Sequence, residues 1–298
     1  MSYDALIVGS GPNGLAAAIT LAQQGAKVLV IEGKATVGGG MRTAELTLPG
    51  FSHDVCSAVQ PLGMGSPFFQ NLPLARFGLE WLQPEIPVAQ PLDGGTAVAL
   101  FQELAATAES IGGRDGERWQ RALGPPVDAW PELAPALLGP LPLSRNLPDL
   151  TRFGLAALQP ATFYARHTFR GERARALFAG LAAHAIRPLE HLATASFGLV
   201  LGVLGHAVGW PLPRGGSQAI ADAMTRYLQT LGGDVVCGWM VESLDELPAA
   251  SAYLLDVTPR QLLNLAGDRL PSGYRSRLAR YRYGPGVFKL DYALDGPV

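Results

Sequence analysis

Gly9, Gly11 and Gly14 stand in G-x-G-x-x-G spacing inside DALIVGSGPNGLAAAITLAQQGAKVLVIEG, and Glu32 lies at the far end of that stretch. The chemistry this pattern serves is the binding of an adenine dinucleotide. Gly9 permits a sharp strand-to-helix turn, Gly11 removes the Cβ that would block a pyrophosphate, and Gly14 lets helix and strand approach closely. Pro12 suits the helix start, where its missing N–H costs little, and Asn13 follows it in the same binding turn. The N–H groups of the first helical turn then face the phosphates. Ionised, Glu32 can accept both hydroxyls of an adenosine ribose and would repel a 2′-phosphate. A second cluster, Gly38 to Gly40, stands just before Arg42. It either brings backbone beside a cofactor or merely turns the chain, and Arg42 either neutralises a pyrophosphate or pairs at the surface.

Such residues must be held by a strand, a helix and a second strand. Ala5–Val8 reads as a buried strand, Leu15–Gln24 as a helix ended by Gly25, and Lys27–Ile31 as the next strand. A further strand and turn are expected over Leu46–Phe51. The middle reads as helical, over 104–111, 117–138 with interruptions at Pro125, Pro126, Pro131 and Pro135, then 150–158, 161–169 and 173–184. Ala195–Trp210 is apolar but carries Ser196, His206 and several glycines, so it predicts a buried helix or cavity wall rather than a membrane span. Ser217 is placed to cap a helix whose apolar face is Ala219, Ile220, Ala223, Met224, Tyr227 and Leu228. Strands are expected over Val235–Val241, Ala252–Val257 and Val287–Leu290.

Composition sets the outer bounds. The 298 residues carry 23 basic and 25 acidic side chains, a net charge of -2, which speaks against nucleic acid as a partner. Arg275, Arg277, Arg280 and Arg282 read as a solvated or interdomain face. Charged residues make up 16%, below the roughly 25% of ordinary chains, so another subunit, a membrane face or further protein is expected to cover part of the surface, unless a coding bias is responsible. Cys56 and Cys237 form no metal or redox spacing and are expected to be separate, buried small hydrophobes in an intracellular protein. His184 and His191 are seven apart with Pro188 between them, so no metal site is expected. His53 and Asp54 are adjacent in a strand and therefore point oppositely. No nucleophile arrangement is specified, and no catalytic residue is assigned.

With these residues laid out, the sequence resembles the phytoene-desaturase-like branch of FAD-dependent oxidoreductases, close to the pyridine nucleotide-disulphide oxidoreductase domain-containing protein 2 group. Gly9, Gly11, Gly14 and Glu32 followed by Gly38, Gly39 and Arg42 carry the likeness, with WPLPRGGSQAIADAM, GWMVESL, LLDVTPRQLL and GPGVFKLDYALDGPV further on. The resemblance implies FAD as cofactor, Val241 near the adenine, and Asp256 at the end of a strand beside the cofactor. It implies an α/β fold: a Rossmann-like FAD-binding domain with an inserted, largely helical substrate domain. The corresponding division is 1–62 and 209–270 for the FAD domain, 63–208 for the helical region, and 271–298 for the start of a further sheet, cut short relative to the family. The implied activity is dehydrogenation or desaturation of an apolar, isoprenoid-like small molecule by hydride transfer to flavin. The alternatives are a flavin-dependent amine or other small-molecule oxidase, and a noncatalytic nucleotide-binding scaffold. The expected setting is cytoplasmic, with a homo-oligomer or peripheral membrane contact as further expectations.

Overall fold

The computed structural model describes residues 2–139 and 147–296. In chain order the elements are β1 (Tyr3–Val8), α1 (Pro12–Ala22), β2 (Val28–Glu32), β3 (Thr43–Glu45), β4 (Ser52–Asp54), α2 (Pro61–Gly65) and α3 (Pro67–Gln70). Next come β5 (Trp81–Leu82), β6 (Val88–Leu92), β7 (Thr96–Leu100), α4 (Leu104–Ile111), α5 (Gly113–Asp128), α6 (Trp130–Leu137), α7 (Leu147–Ala157), α8 (Ala161–Thr168), α9 (Glu172–Ala182) and α10 (Ala195–Ala207). The last are β8 (Leu212–Pro213), α11 (Gln218–Thr230), β9 (Asp234–Cys237), β10 (Ala250–Leu255), α12 (Pro259–Ala266) and α13 (Ser272–Ala279). The chain forms two compact units: 1–58, 73–81 and 213–298 in the first, 59–72 and 82–212 in the second. The divisions read from the sequence fall after residues 62, 208 and 270.

The first unit is built on a parallel four-stranded sheet of order β10-β1-β2-β9. Parallel strands covered on both faces read as continuous apolar runs, as in the Val28–Ile31 stretch of β2. Leu6, Val8, Leu29 and Ile31 share one face with Val241 and Leu247. The other face is covered by α1, which buries Leu15, Ala18, Ile19 and Ala22, and α1 in turn packs on α11. β1, α1 and β2 make one βαβ unit, and its crossover places the amino end of α1 at the carboxyl ends of the strands.

Several local expectations are corrected. Leu46–Phe51 is the connection of a short hairpin, because the antiparallel pairing lies outside it, between β3 and β4. The strand expected over Val235–Val241 ends at Cys237, since Gly238 adopts φ 77° and turns the chain out of the sheet. Val287–Leu290 forms no strand; no neighbouring strand offers it a hydrogen-bonding ladder among the described residues. Both cysteines are exposed rather than buried. Cys237 sits at the end of edge strand β9, in register with Glu32.

The second unit is mainly helical. Trp119, Phe169, Phe178, Leu123, Leu133 and Leu177 are fully buried in one core, with Trp119 stacked on Phe169 at 5.6 Å. α10 is the apolar segment noted in the sequence, and its glycines explain why it is buried. A Cβ on Gly198 would lie 2.7 Å from Phe178 Cζ, one on Gly202 2.8 Å from Leu123 Cδ1, and one on Gly205 2.9 Å from Leu100 Cδ2. Neighbouring side chains occupy the space that glycine leaves. Pro125 and Pro126 lie inside α5, and the break expected there comes at Ala129, between α5 and α6. No helix among the described residues is long and apolar enough to cross a membrane.

Candidate functional site

A crevice of about 600 Å³ opens in the first unit at the carboxyl ends of β1, β2 and β10. Its lining includes Gly9, Gly11, Pro12 and Asn13 from the first turn, Glu32, Gly39 and Arg42, and Val241 and Asp256 from the later part of the chain. Gly14 and Gly38 lie behind this lining. A Cβ on Gly14 would fall 2.1 Å from Gly9 O, and one on Gly38 3.0 Å from Ala221 Cβ. These two glycines therefore permit close packing of the turn, whereas Gly11 lines the crevice itself, where a Cβ would lie 3.2 Å from Asp256 Oδ2.

Glu32 is held in place before any ligand is considered. Its Oε2 accepts the Ser10 N–H at 3.1 Å and the Ser10 hydroxyl, and its Oε1 accepts the Lys34 N–H at 2.9 Å. Burial pushes its carboxyl pKa up, but the Ser10 hydroxyl, the Lys34 and Ser10 N–H groups and the Arg42 charge outweigh this and hold it below the ordinary value. The carboxylate is thus ionised at neutral pH. Three of its roughly four lone-pair sites are taken, which leaves one open on Oε1.

The two glycine clusters are bound together. Gly38 N–H donates to Ser10 O at 3.0 Å, and Gly39 packs so tightly on the first turn that a Cβ would lie 2.9 Å from Gly11 Cα. Gly38 and Gly39 have φ values of 118° and 55°, a region open to glycine without strain. This conformation lets Arg42 fold back, its Nε donating to Gly39 O at 3.0 Å, with the guanidinium on the crevice wall.

Helix α1 has glycine at its N-cap position and so lacks a cap of its own. Asp256 supplies one from the other end of the chain. Its Oδ2 accepts the Gly14 N–H at 2.9 Å, the bond an N-cap side chain ordinarily makes. The aspartate follows the last residue of β10, so strand order places it there.

Ser10, Lys34, Trp239 and Met240 belong to the crevice and were not marked by sequence reasoning. Ser10 sits in the unspecified position between two motif glycines, and only its distance to Glu32 reveals its part. Trp239 and Met240 enter because β9 ends early: Trp239 N–H donates to Glu32 O at 3.0 Å, which lays this segment across the end of β2. His53 and Asp54 do diverge. His53 Nε2 meets Thr47 Oγ1 at 2.7 Å, while Asp54 accepts Thr43 Oγ1 at 2.6 Å and the Ser217 N–H at 2.7 Å. Ser217 occupies the N-cap of α11, but its hydroxyl donates to Ser57 O at 2.6 Å and does not cap the helix. Of the aromatics in the helical unit, Phe169 and Trp210 are core, and Phe163 and Phe197 are exposed.

Comparison with known proteins agrees with this geometry. The family described as NAD(P)-binding Rossmann-like domain matches residues 7–64. A limonene dehydrogenase polypeptide of Castellaniella defragrans is 32% identical over 120 residues, which are 39% of this chain and 22% of that protein. A redesigned putrescine oxidase superposes with a TM-score of 0.59 at 19% identity, covering 94% of this chain and 63% of that one. The PF1083 protein of Pyrococcus furiosus superposes at 0.58 and 18% identity, covering 94% and 65%. The chain thus spans less than two thirds of the length of each of these three proteins. Its fold is mixed α/β, a Rossmann-like domain with a large inserted helical region, the two-domain fold of those solved structures.

Proposed function

We propose that this chain supplies the FAD-binding part of an oxidoreductase with the amine-oxidase architecture, acting on a small molecule. The observation that carries the reading is the crevice itself, with an anchored, ionised carboxylate at the carboxyl end of β2 and a side-chain-free wall at Gly11. The donor set suits FAD. Glu32 takes a ribose hydroxyl on its open Oε1 lone pair, and Gly11 leaves room for the pyrophosphate. The Asn13 amide and the positive end of α1 face it, and Arg42 adds a full positive charge. Val241 closes over the adenine side. Bound there, FAD supplies an electron acceptor for oxidation of a substrate C–H bond.

The fold shared with putrescine oxidase supports an amine or other small polar molecule as substrate. A second reading, an isoprenoid-like apolar substrate, draws on the local likeness to the limonene dehydrogenase polypeptide and on the motif resemblance to phytoene-desaturase-like enzymes. The test is a titration of the purified protein with FAD, NAD+ and NADP+, followed by flavin bleaching with amine or isoprenoid substrates. FAD is expected to bind at least tenfold more tightly than either nicotinamide dinucleotide, and Glu32→Gln is expected to weaken it about tenfold. A folded protein indifferent to all three dinucleotides overturns the proposal and leaves the scaffold reading.

A further inference from the structure

The helical unit carries an apolar corner that its core does not absorb. Leu155, Leu158, Phe163 and Leu192 are 66%, 63%, 49% and 78% exposed. They come from the end of α7, the start of α8 and the turn before α10, and backbone hydrogen bonds bring these segments together. Ala193 N–H donates to Leu158 O at 2.9 Å, Ala195 N–H to Gln159 O at 3.1 Å, and Thr162 N–H to Leu189 O at 3.2 Å. Leu192 is therefore displayed by a bonded turn.

That turn is also strained. Ile186 and Ala193, with φ of 49° and 66°, are the non-glycine residues with positive φ among the described residues, and both lie within it. A β-branched residue in this region is costly and persists only where the surroundings over-determine it. The same stretch turns Leu189 toward the core and buries Ala195, so the strain accompanies a division of side chains into inward and outward sets.

Charge sets the surroundings of the corner. Residues 147–194 contain six arginines against the three carboxylates Asp149, Glu172 and Glu190, in a chain whose net charge is -2. Arg166, Arg187, His167 and His191 are exposed in the segments that carry the apolar tips, as is Glu190, and the His167 ring lies on Phe163 with centroids 3.8 Å apart. Protein–protein interface cores are enriched in Tyr, Trp, Phe, Met and Arg, and leucine is under-represented among their hot spots, whereas three of these four tips are leucines. Leucine and phenylalanine flanked by arginine are the composition of a membrane-surface anchor.

We propose that this corner seats the protein on the surface of an anionic lipid bilayer. Leu155, Leu158, Phe163 and Leu192 enter the headgroup boundary, and Arg166 and Arg187 meet lipid phosphates. Attachment is to one leaflet and stands independently of any dinucleotide. The test is co-sedimentation with phosphatidylglycerol–phosphatidylcholine vesicles and with pure phosphatidylcholine vesicles. The wild-type chain is expected to partition at least tenfold more strongly onto the anionic vesicles. The Leu158→Asp/Leu192→Asp double variant is expected to lose at least tenfold of that binding with an unchanged melting temperature. If the double variant melts early, Leu192→Ser alone serves, and Arg166→Glu/Arg187→Glu is expected to abolish the anionic preference. No sedimentation with either vesicle, or variants that sediment like the wild type, overturns the proposal. So does a wild-type dimer that the double variant dissolves without any vesicle binding, which would assign the corner to a second copy of the chain.

Discussion

Glycines recur at short intervals in both units, and they do opposite things. Around the crevice they let backbone meet backbone: Gly14 against Gly9 O, and Gly39 against Gly11 Cα. Along α10, Gly198, Gly202 and Gly205 each receive a side chain, from Phe178, Leu123 and Leu100. The first set leaves a crevice of about 600 Å³ beside it, and the second is filled. Spacing alone does not separate the two cases. What separates them is conformation and company: positive φ at Gly9, Gly38 and Gly39, and a carboxylate waiting at the end of the next strand.

The sharpest way to break this contrast is to add the same methyl group to each set. Gly14→Ala would drive a Cβ into a carbonyl 2.1 Å away that cannot move without opening the turn. A loss of about 4 kcal/mol is expected by urea denaturation. Gly198→Ala meets the edge of a phenylalanine ring that can tilt, and about 1–3 kcal/mol is expected. Equal losses would remove the distinction between backbone-limited and side-chain-limited glycines.

Gly11→Val tests the open side of the crevice. The nearest atom to its Cβ is Asp256 Oδ2 at 3.2 Å, so that carboxylate must shift by a few tenths of an ångström, and melting temperature is followed beside affinity to separate loss of fold from loss of site. Its methyl groups would also enter the crevice, on the path proposed above for the pyrophosphate. FAD affinity is expected to fall on the order of 100-fold, or about 2.7 kcal/mol, in a fluorescence titration. Undiminished affinity would falsify this placement of the phosphates.

The two units also differ in how far their sequences could be read. In the first, Gly9, Gly11, Gly14 and Glu32 are fixed by chain-local geometry, so the βαβ unit and its acid were legible. Ser10 was not, because the motif constrains the glycines on either side of it and leaves its own type free. Trp239 and Met240 were hidden by periodicity, since the apolar pattern of 235–241 continues past the point where Gly238 turns the chain away. Asp256 was placed by resemblance alone, because its partner on α1 is 242 residues distant. In the second unit the helices were legible from their apolar spacing, and the surface corner was not. An exposed leucine and a core leucine look alike until the fold sets them apart.

His206 offers a smaller effect, confined to the helical core. Its Nε2 accepts Trp119 Nε1–H at 3.0 Å, and its Nδ1 meets Gln102 O at 3.1 Å, so the neutral ring protonated at Nδ1 fits both partners. Burial lowers its pKa from the ordinary value, against the pull of the Gln102 and Phe101 carbonyls. The unfolded chain therefore takes up this proton first as pH falls. The stability it contributes is present above about pH 6.5 and is lost as pH drops through the lower folded value. His206→Gln, which keeps an acceptor for Trp119, is expected to flatten the fall in melting temperature between about pH 7 and 5. An unaltered slope would assign that fall to other groups.

The smallest expected effect comes from two aspartates that each hold the start of a helix. α1 and α9 each begin after a glycine N-cap, and each has an aspartate from elsewhere at its start, on the N3 N–H in α1 and on the two N–H groups that lead into the helix in α9. Asp256 accepts the Gly14 N–H, while Asp115 accepts the Arg170 N–H at 3.0 Å and the Gly171 N–H at 2.5 Å, with Arg118 paired beside it. Burial raises the Asp115 pKa, but the Gly171 N–H, Arg118 and the Arg170 N–H outweigh it and hold the group below its ordinary value. Its contribution is thus present above about pH 4 and lost as pH falls through the lower folded value. Asp115→Asn and Asp256→Asn are each expected to cost about 1 kcal/mol in urea denaturation at neutral pH, the usual scale for a lost cap. Their effects on ligand should part. Asp256 lines the crevice, and its negative charge stands against an incoming pyrophosphate, so Asp256→Asn is expected to tighten FAD a few-fold, whereas Asp115→Asn leaves it unchanged. If both substitutions leave FAD affinity alone, Asp256 is a cap and nothing more, and both aspartates serve only the helices they hold.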